Sequence, residues 1–458
     1  MNENAASFIA KSTIKAADLE HRRTVNFNIG KYNAVVPNGK KQFSDVMLVR
    51  EKAKNIKWRA IETLDKQLED FETNISKRGA KVIWAVDAAQ ALEEIRKICE
   101  AKQCRSVVKS KSMVTEEIHL NDFLEKMGIE SVETDLGEYI QQLDGEPPYH
   151  IVTPAMHKSK EDVARLFSNK LGTSPNLSPE ELTLVAREKL REKYVQAEIG
   201  ITGANFIIAD TGSVAVTENE GNARLSSSFP KTHIVITGIE KVIPSLTDLA
   251  LFWPLLATYG TGQQITVYNT IFSGPRQPGE TDGPEEMYVI LLDNGRTNIL
   301  ADAKARESLY CIRCGACLNA CPVYKNIGGH AYETTYSGPI GSVITPYLKD
   351  MDGFKHLSYA SSLCGNCTEV CAVRINLHEL LLHNRAEAVD QGLPTWGEKI
   401  AWKVWKQASL HRSLMNMGSR GLKNRMVNKM FKGWTGHRGD LDFAPKTFNQ
   451  QWREQNKK

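Results

Sequence analysis

No apolar run in this chain approaches the ~18 residues that a membrane-spanning helix needs. The strongest candidate, Leu251 to Ala257, is short, contains Pro254 and follows Asp248, so no membrane span is expected. The opening residues, Met1 to Ser7, have neither a charged n-region nor an apolar h-region. A secretory route is therefore not expected, and a cytoplasmic protein in the reducing cytosol is. A nucleotide fingerprint is also missing. Tyr259-Gly-Thr-Gly262 lacks the third glycine and the strand–turn–helix setting that such a motif requires. Strong net charge is absent too, at +4, although the distribution is uneven. From His411 to Lys458 there are eleven Lys or Arg against three Asp or Glu, with Trp434 and Trp452 interleaved. A solvated or partner-binding tail accounts for this better than nucleic-acid binding does.

Cysteine is scarce as well, nine in 458 residues, yet seven of the nine fall in two runs. The first, Cys311-Ile-Arg-Cys314-Gly-Ala-Cys317-Leu-Asn-Ala-Cys321-Pro322, is C-x2-C-x2-C-x3-C-P. That spacing gives three thiolates to one iron–sulfur cube and turns the fourth toward a second. The second run, Cys364-Gly-Asn-Cys367-Thr-Glu-Val-Cys371, follows some fifty residues on. Structural zinc uses two pairs of ligands, usually more widely separated, and has no need of the Cys-Pro. Disulfides do not suit such small loops in a reducing compartment. Interleaved ligation then assigns Cys311, Cys314, Cys317 and Cys371 to cluster one, and Cys321, Cys364 and Cys367 to cluster two. The fourth corner of cluster two falls at Ser361. A serine oxygen, water or a missing iron are all compatible with that position. Ala372 stands where proline would follow the last cysteine, leaving φ less constrained there.

With 458 residues the chain has room for two or three domains beyond a bare iron–sulfur carrier. Residues 1–75 read as a polar helical arm packing on the next domain, with Val46 to Trp58 at helical spacing. Residues 76–298 alternate short β-branched runs with helical patterns, which argues for a mainly parallel sheet covered on both faces. Strands are expected at 81–86, 106–109, 129–134, 150–153, 204–209, 213–217, 233–237 and 287–292, and helices at 88–102, 116–127 and 179–199. Residues 299–392 form the helical cluster domain and 393–458 a basic helical tail.

The α/β segment has its own candidates for chemistry. Asp210-Thr211-Gly212 reads as a turn between antiparallel strands, and the loop after them carries Glu218, Asn219, Glu220 and Asn222, able to hold a polar substrate or to act as base. Arg276, in a turn-rich acidic loop, is able to fork onto a carboxylate. Lys109 to Glu117 places two lysines between a strand and a helix start, which suits an anion or a plain capping box equally. Cys99 and Cys104 read as ordinary buried thiols.

Lys109-Ser-Lys-Ser-Met113, Glu133 to Tyr139, Gly203-Ala-Asn205, Ala209 to Ser213 and Gly274-Pro-Arg276, followed by the two cysteine runs, resemble the lactate-utilisation protein B family over roughly residues 20–400. The resemblance implies an α/β domain of the sugar-phosphate isomerase and CoA-transferase type followed by a ferredoxin-type domain with two [4Fe-4S] clusters. It also implies two partner subunits, a cysteine-rich one related to heterodisulfide reductase and a smaller relative of the same α/β domain. The expected role is an electron-transfer subunit of a complex oxidising L-lactate to pyruvate, with no catalytic residue of its own. The alternatives are a self-contained transferase- or isomerase-like enzyme with structural clusters, or a relay for a different dehydrogenase.

Overall fold

A computed structural model describes residues 2–430, 432 and 439–456. Four helices open the chain: α1 (Glu3–Ala17), α2 (Leu19–Lys40), α3 (Val46–Glu62) and α4 (Leu64–Ser76). Each of the first three starts where an Asn or Asp side chain accepts a free helical N–H, as at Asp45, which accepts from Met47 and Leu48. α4 buries Leu64, Leu68, Phe71 and Ile75, one stripe at helical spacing, each stabilising the packing by about 1.5–3 kcal/mol. α3 behaves differently from its sequence pattern. Leu48 and Trp58 are exposed while Arg50 and Lys57 are buried. Arg50 donates to the carbonyls of Glu369 (2.7 Å) and Cys371 (2.8 and 3.0 Å), and Lys57 to those of Glu240 (2.5 Å) and Val242 (3.1 Å). These hydrogen bonds to backbone carbonyls offset the cost of burying the two cations.

Ten strands follow: β1 (Lys81–Ala85), β2 (Ser106–Lys109), β3 (Glu130–Glu133), β4 (Ile199–Thr202), β5 (Phe206–Ile208), β6 (Ser213–Glu218), β7 (Thr232–Gly238), β8 (Val242–Ile243), β9 (Tyr268–Phe272) and β10 (Glu286–Leu292). Six form a sheet in the order β1-β10-β7-β4-β2-β3, parallel throughout. β7 is buried along its whole length, as a central strand covered on both faces must be. The other four form a sheet in the order β8-β5-β6-β9, in which β5 and β6 are antiparallel across Asp210-Thr-Gly. The expected parallel α/β sheet is present. Several local expectations need correction. Residues 150–153 form a turn, because the His150 imidazole accepts the N–H groups of Val152 (3.1 Å) and Thr153 (3.2 Å) and withdraws them from any ladder. The helix expected at 116–127 is two, Met113–Glu117 and Leu120–Lys126, broken at left-handed His119 (φ 54°). The helix expected to reach Ile199 stops at Gln196, and β4, β8 and β9 were not anticipated.

One hydrophobic core runs from the arm through the second sheet to the cysteine region, and two smaller cores lie against the parallel sheet. Met1–Glu387 is one compact unit and Ala388–Lys458 another. The second contains helices Trp396–Leu410, Arg412–Asn416, Arg420–Met430 and Phe448–Gln455, the last carrying Trp452 stacked on Phe448. Trp434 lies outside the described residues. Among the described residues no helix is long and apolar enough to cross a membrane.

At the carboxyl edge of the parallel sheet, Arg296 is fully buried between two carboxylates. It grips Glu117 through both Nη atoms (2.9 and 2.8 Å) and Glu240 through Nε (2.6 Å). Tyr336 also donates to Glu117 (2.6 Å), and Arg313 reaches Glu240 at 3.4 Å. Burial pushes the Glu240 carboxyl up, but Arg296, Arg313 and Lys241 outweigh it and hold it down at about 2, against an ordinary 4.5. Arg296→Met leaves two buried carboxylates without their main cation and is expected to lower the unfolding free energy by about 3–5 kcal/mol in chemical denaturation at neutral pH. A loss below about 1 kcal/mol would place the network among surface pairs in importance. Because the folded pKa is depressed, the deficit should be full above pH 4.5 and shrink as pH falls toward 2.

Candidate metal centre and adjoining cavity

The two cysteine runs share one backbone form. In the first, Arg313 and Gly315 flank Cys314 at φ 59° and 77°; in the second, Leu363 and Gly365 flank Cys364 at φ 52° and 77°. A Cβ on Gly315 would meet Val152 at 3.0 Å and strain a left-handed residue besides. The match extends to a hydrogen bond. The Arg313 N–H donates to Cys311 Sγ (3.4 Å), and the equivalent Leu363 N–H donates to Ser361 Oγ (3.1 Å). Ser361 thus stands in the second run where Cys311 stands in the first.

Cys311, Cys314, Cys317 and Cys371 line one small enclosed cavity. Burial, followed by the mutual repulsion of these thiols, pushes Cys314 up to about 12 and Cys371 to about 11. Cys321, Cys364 and Cys367 act on one another as a separate group, where burial and then Cys321 push Cys367 up to about 11. Cys364 is the exposed member, its thiol drawn down by the Asn366 N–H and the Ser362 hydroxyl. Among the described residues no three cysteine sulfurs lie within 4.8 Å of one another. Four thiolates on one tetrahedral zinc sit about 3.8 Å apart, from Zn–S bonds of about 2.3 Å. The wider spacing round a central cavity fits a polynuclear centre. So do the N–H groups aimed at sulfur, from Ile375 to Cys371 (3.3 Å) and Tyr324 to Cys321 (3.5 Å).

A second, larger cavity of about 500 Å³ reaches Cys314 from the other side. It lies where the residues after β2, β3, β4 and β7 converge, at the point where strand order reverses between β2 and β4. Open α/β sheets place ligand sites there. The expected acidic loop lines it, but its members differ in role. Glu218 caps the helix Asn222–Ser228, accepting from Ala223 (2.7 Å) and Arg224 (3.0 Å). Asn219 ties Gln263 to Val267, and Asn222 accepts the N–H of Ala223 (2.9 Å). Glu220 is exposed and accepts one N–H, from Leu136 (3.0 Å); the atoms packed round it and then the Asp135 charge push its carboxyl up, an effect that its exposure to solvent tempers. Arg276 is not at this cavity. It holds Glu285 at 3.6 Å, because its loop is pinned by the Arg276 N–H to the Pro284 carbonyl.

The lysine segment divides in the same way. Lys109 is buried against Glu133 (2.7 Å) and Glu116 (3.0 Å), and Ser112 caps the short helix, so no anion is needed there. Lys111 lines the cavity, donating to the Val152 carbonyl (2.7 Å). Cys99 is buried on helix Ala88–Ala101, as expected, while Cys104 just beyond it is only half-buried, its thiol donating to the Ser106 carbonyl (3.4 Å). Lys241 and Arg313 also line the cavity and were missed by sequence reasoning. Arg313 sits inside the first cysteine run, and a charged residue between two ligands was the available signal. Lys241 had none beyond following a strand.

Residues 68–292 match the LUD domain, and residues 307–375 match a 4Fe-4S dicluster domain. Lactate utilization protein B of Bacillus licheniformis is 48% identical over 373 residues, spanning 81% of this chain and 78% of its own. The proteins of that name from Bacillus subtilis and Geobacillus thermodenitrificans are 48% and 47% identical over the same shares. A crystal structure of a DUF162 family protein from Deinococcus radiodurans covers 50% of this chain and 98% of its own at 16% identity, with a TM-score of only 0.29. With an iron–sulfur domain behind its α/β domain and near half its residues shared across four-fifths of its length, the chain belongs to the lactate utilization protein B family.

Proposed function

We propose that this protein is the iron–sulfur electron-transfer subunit of a complex that oxidises L-lactate to pyruvate. The observation that carries the reading is the pair of cysteine groups, four thiols round an enclosed cavity and three more beside the equivalent position Ser361. Cys311, Cys314, Cys317 and Cys371 would hold one [4Fe-4S] cluster; Cys321, Cys364 and Cys367, with Ser361 at the fourth corner, would hold the other. Such clusters supply one-electron transfer when bound. The chain's own residues bury Cys314, Cys317 and Cys371 of the first group and leave the second open at Cys364, the side from which a partner subunit would approach. Those partners, on this reading, are a cysteine-rich subunit related to heterodisulfide reductase and a small relative of the α/β domain.

A second reading has one observation in its favour. The large cavity touches Cys314 and brings Glu220 together with Asp135 and Lys111, so the α/β domain has the makings of a site for chemistry of its own. Purifying the protein anaerobically with its partners, and omitting each subunit from a lactate-dependent dye-reduction assay, separates the two. The relay reading predicts no lactate-dependent reduction of the isolated protein's clusters and full reduction with the complete set. Turnover by the isolated chain that Glu220→Gln abolishes would overturn it.

The ligand division is tested by resonance spectra of single variants. Cys371→Ala should perturb the same centre as Cys314→Ala, and Cys321→Ala the same centre as Cys364→Ala. Spectra grouping Cys321 with Cys311 would sink the interleaved arrangement.

Ser361 makes its own prediction. An iron held by oxygen or water leaves more readily than one held by thiolate, so brief oxidation should convert the second centre to a three-iron signal while the first persists. Ser361→Cys should protect it. Equal loss of both centres, unmoved by that substitution, counts against the assignment.

A further inference from the structure

Away from the cysteine runs, three segments distant in sequence meet round Tyr149. Its hydroxyl bonds to Nε2 of His21 on the arm (2.9 Å), and the His157 ring stacks on its face with centroids 4.3 Å apart. His330 arrives from the cysteine region, edge-on to both Tyr149 and His157, with centroids 5.0 Å away in each case. The approach is closely fitted. A Cβ on Gly328 would collide with the Tyr149 hydroxyl and one on Gly329 with the Tyr149 carbonyl, so the two glycines before His330 are what admit it.

In this setting one ring nitrogen of His157, one of His330 and a carboxylate oxygen of Glu146 all lie within 4.8 Å of one another. His157 Nε2 is 3.0 Å from Glu146 Oε2. Ligand atoms on one tetrahedral ion, with bonds of about 2.0–2.2 Å, sit roughly 3.3–3.6 Å apart, so small side-chain rotations bring the three onto a common ion. His330 Nε2 meets the Pro147 carbonyl (2.8 Å), the kind of backbone partner that fixes the ring of a metal-binding histidine. Glu146 is the open side. Its side chain is 37% exposed against 12% for His157, which leaves a path for an ion and room for water as a further ligand. Lys158 is the competing cation, 3.0 Å from Glu146, but it is also paired with Asp144 and keeps a carboxylate when Glu146 turns to a metal. The other grouping of this kind among the described residues, Asp302, His383 and Glu387, has a single imidazole, and its Asp302 is engaged by the N–H groups of Lys304 (2.8 Å) and Ala305 (2.9 Å).

We propose that Glu146, His157 and His330 bind one divalent ion of the zinc type, completed by water, as a structural clamp. Two imidazoles and a carboxylate suit borderline first-row cations and not magnesium or calcium, which take oxygen ligands. The clamp joins two parts of the molecule. Between Glu146 and His157 the chain forms the wall Ile151–Ala155 of the large cavity, and His330 follows the helix Pro322–Ile327 that leaves the first cysteine run. The ion fixes that wall to that segment. The proposal owes nothing to the lactate reading and involves no iron–sulfur ligand.

The test uses the full-length, cluster-loaded protein under anaerobic conditions, equilibrated with zinc chloride and then desalted. Zinc should stay bound at about one per chain, and its X-ray absorption spectrum should show nitrogen and oxygen neighbours at about 2.0–2.1 Å with no sulfur at about 2.3 Å. That spectrum separates this site from zinc taken up by cysteines. Excess magnesium or calcium should not displace it. His157→Gln and His330→Gln should each abolish retention. Glu146→Gln should weaken zinc, in competition with a chelator, by more than the about tenfold that loss of an outer-shell partner costs, while Lys158→Gln should leave binding intact or tighten it. Zinc should raise the thermal unfolding midpoint of the unaltered protein and not of the histidine variants, as a ligand of the folded state alone must. Unchanged iron content and circular dichroism show that a variant is folded; where a histidine variant fails that check, Glu146→Gln, on the exposed side, decides by the same measurements. Zinc lost on desalting, sulfur in its coordination, or equal retention by folded variants overturns the proposal.

Discussion

The buried cation–carboxylate network centred on Arg296 is the constraint on which the rest depends. Its carboxylates come from the helix after β2 and the turn after β7, its cations from the turn after β10 and from the first cysteine run. Four segments distant in sequence therefore meet at one point. Taking four charges out of water carries a heavy desolvation cost, which excellent geometry offsets only if none is missing. Glu240 serves twice, since its backbone carbonyl receives Lys57 from the arm while its carboxylate receives Arg296 and Arg313. The sheet edge, the arm and the metal-binding loop are registered against each other by one residue. Arg313 is the hinge of this arrangement. Its backbone wraps Cys311, its side chain joins the network, and its second Nη is buried without a partner.

The same network gives the two cysteine groups different surroundings. Lys57, Lys241 and Arg313 act on the thiol of Cys311, and Arg50 holds the carbonyl of Cys371. Four buried cations so placed offset the negative charge that four thiolates bring, which is one of the levers by which a protein sets the potential of a metal centre. Round the second group the cation felt by Cys321 is Lys325, and Cys364 is exposed. Solvent does there what buried cations do at the first.

What the sequence made legible and what it hid divide along physical lines. Ligand spacing is dictated by metal chemistry and is local, so all seven cysteines and Ser361 were visible as a set. Strands such as Thr232–Gly238 and Glu286–Leu292 announced themselves as β-branched runs because both faces are buried. The cavity was half visible. Its acidic loop is contiguous, but Lys111, Glu220, Lys241 and Arg313 come together only through the order of parallel strands, which no window of sequence contains. The helical spacing of Val46 to Trp58 held no sign that Arg50 and Lys57 are buried, because the carbonyls that hold them belong to distant segments. Arg276 was misplaced for the converse reason: its loop closes on itself. His150 took a β-like run out of the sheet through two hydrogen bonds that depend on ring orientation.

The serine at position 361 shows why conformation outlasts ligand identity. Left-handed φ at a residue other than glycine costs on the order of 1 kcal/mol, and the chain accepts it at both Arg313 and Leu363. At Arg313 the return is evident, since that conformation aims an N–H at a thiol and curls the loop round the cavity. At Leu363 the same strain aims an N–H at a hydroxyl. A loop released from any duty at the second centre would have no reason to keep a strained leucine, a left-handed glycine and a polar atom in the place of the first cysteine. The second loop therefore has the backbone form of the first, with a hydroxyl where the first has a thiol. Cys364 beside it is exposed, so the environment of that loop is more aqueous than that of Cys314, Cys317 and Cys371, which are buried.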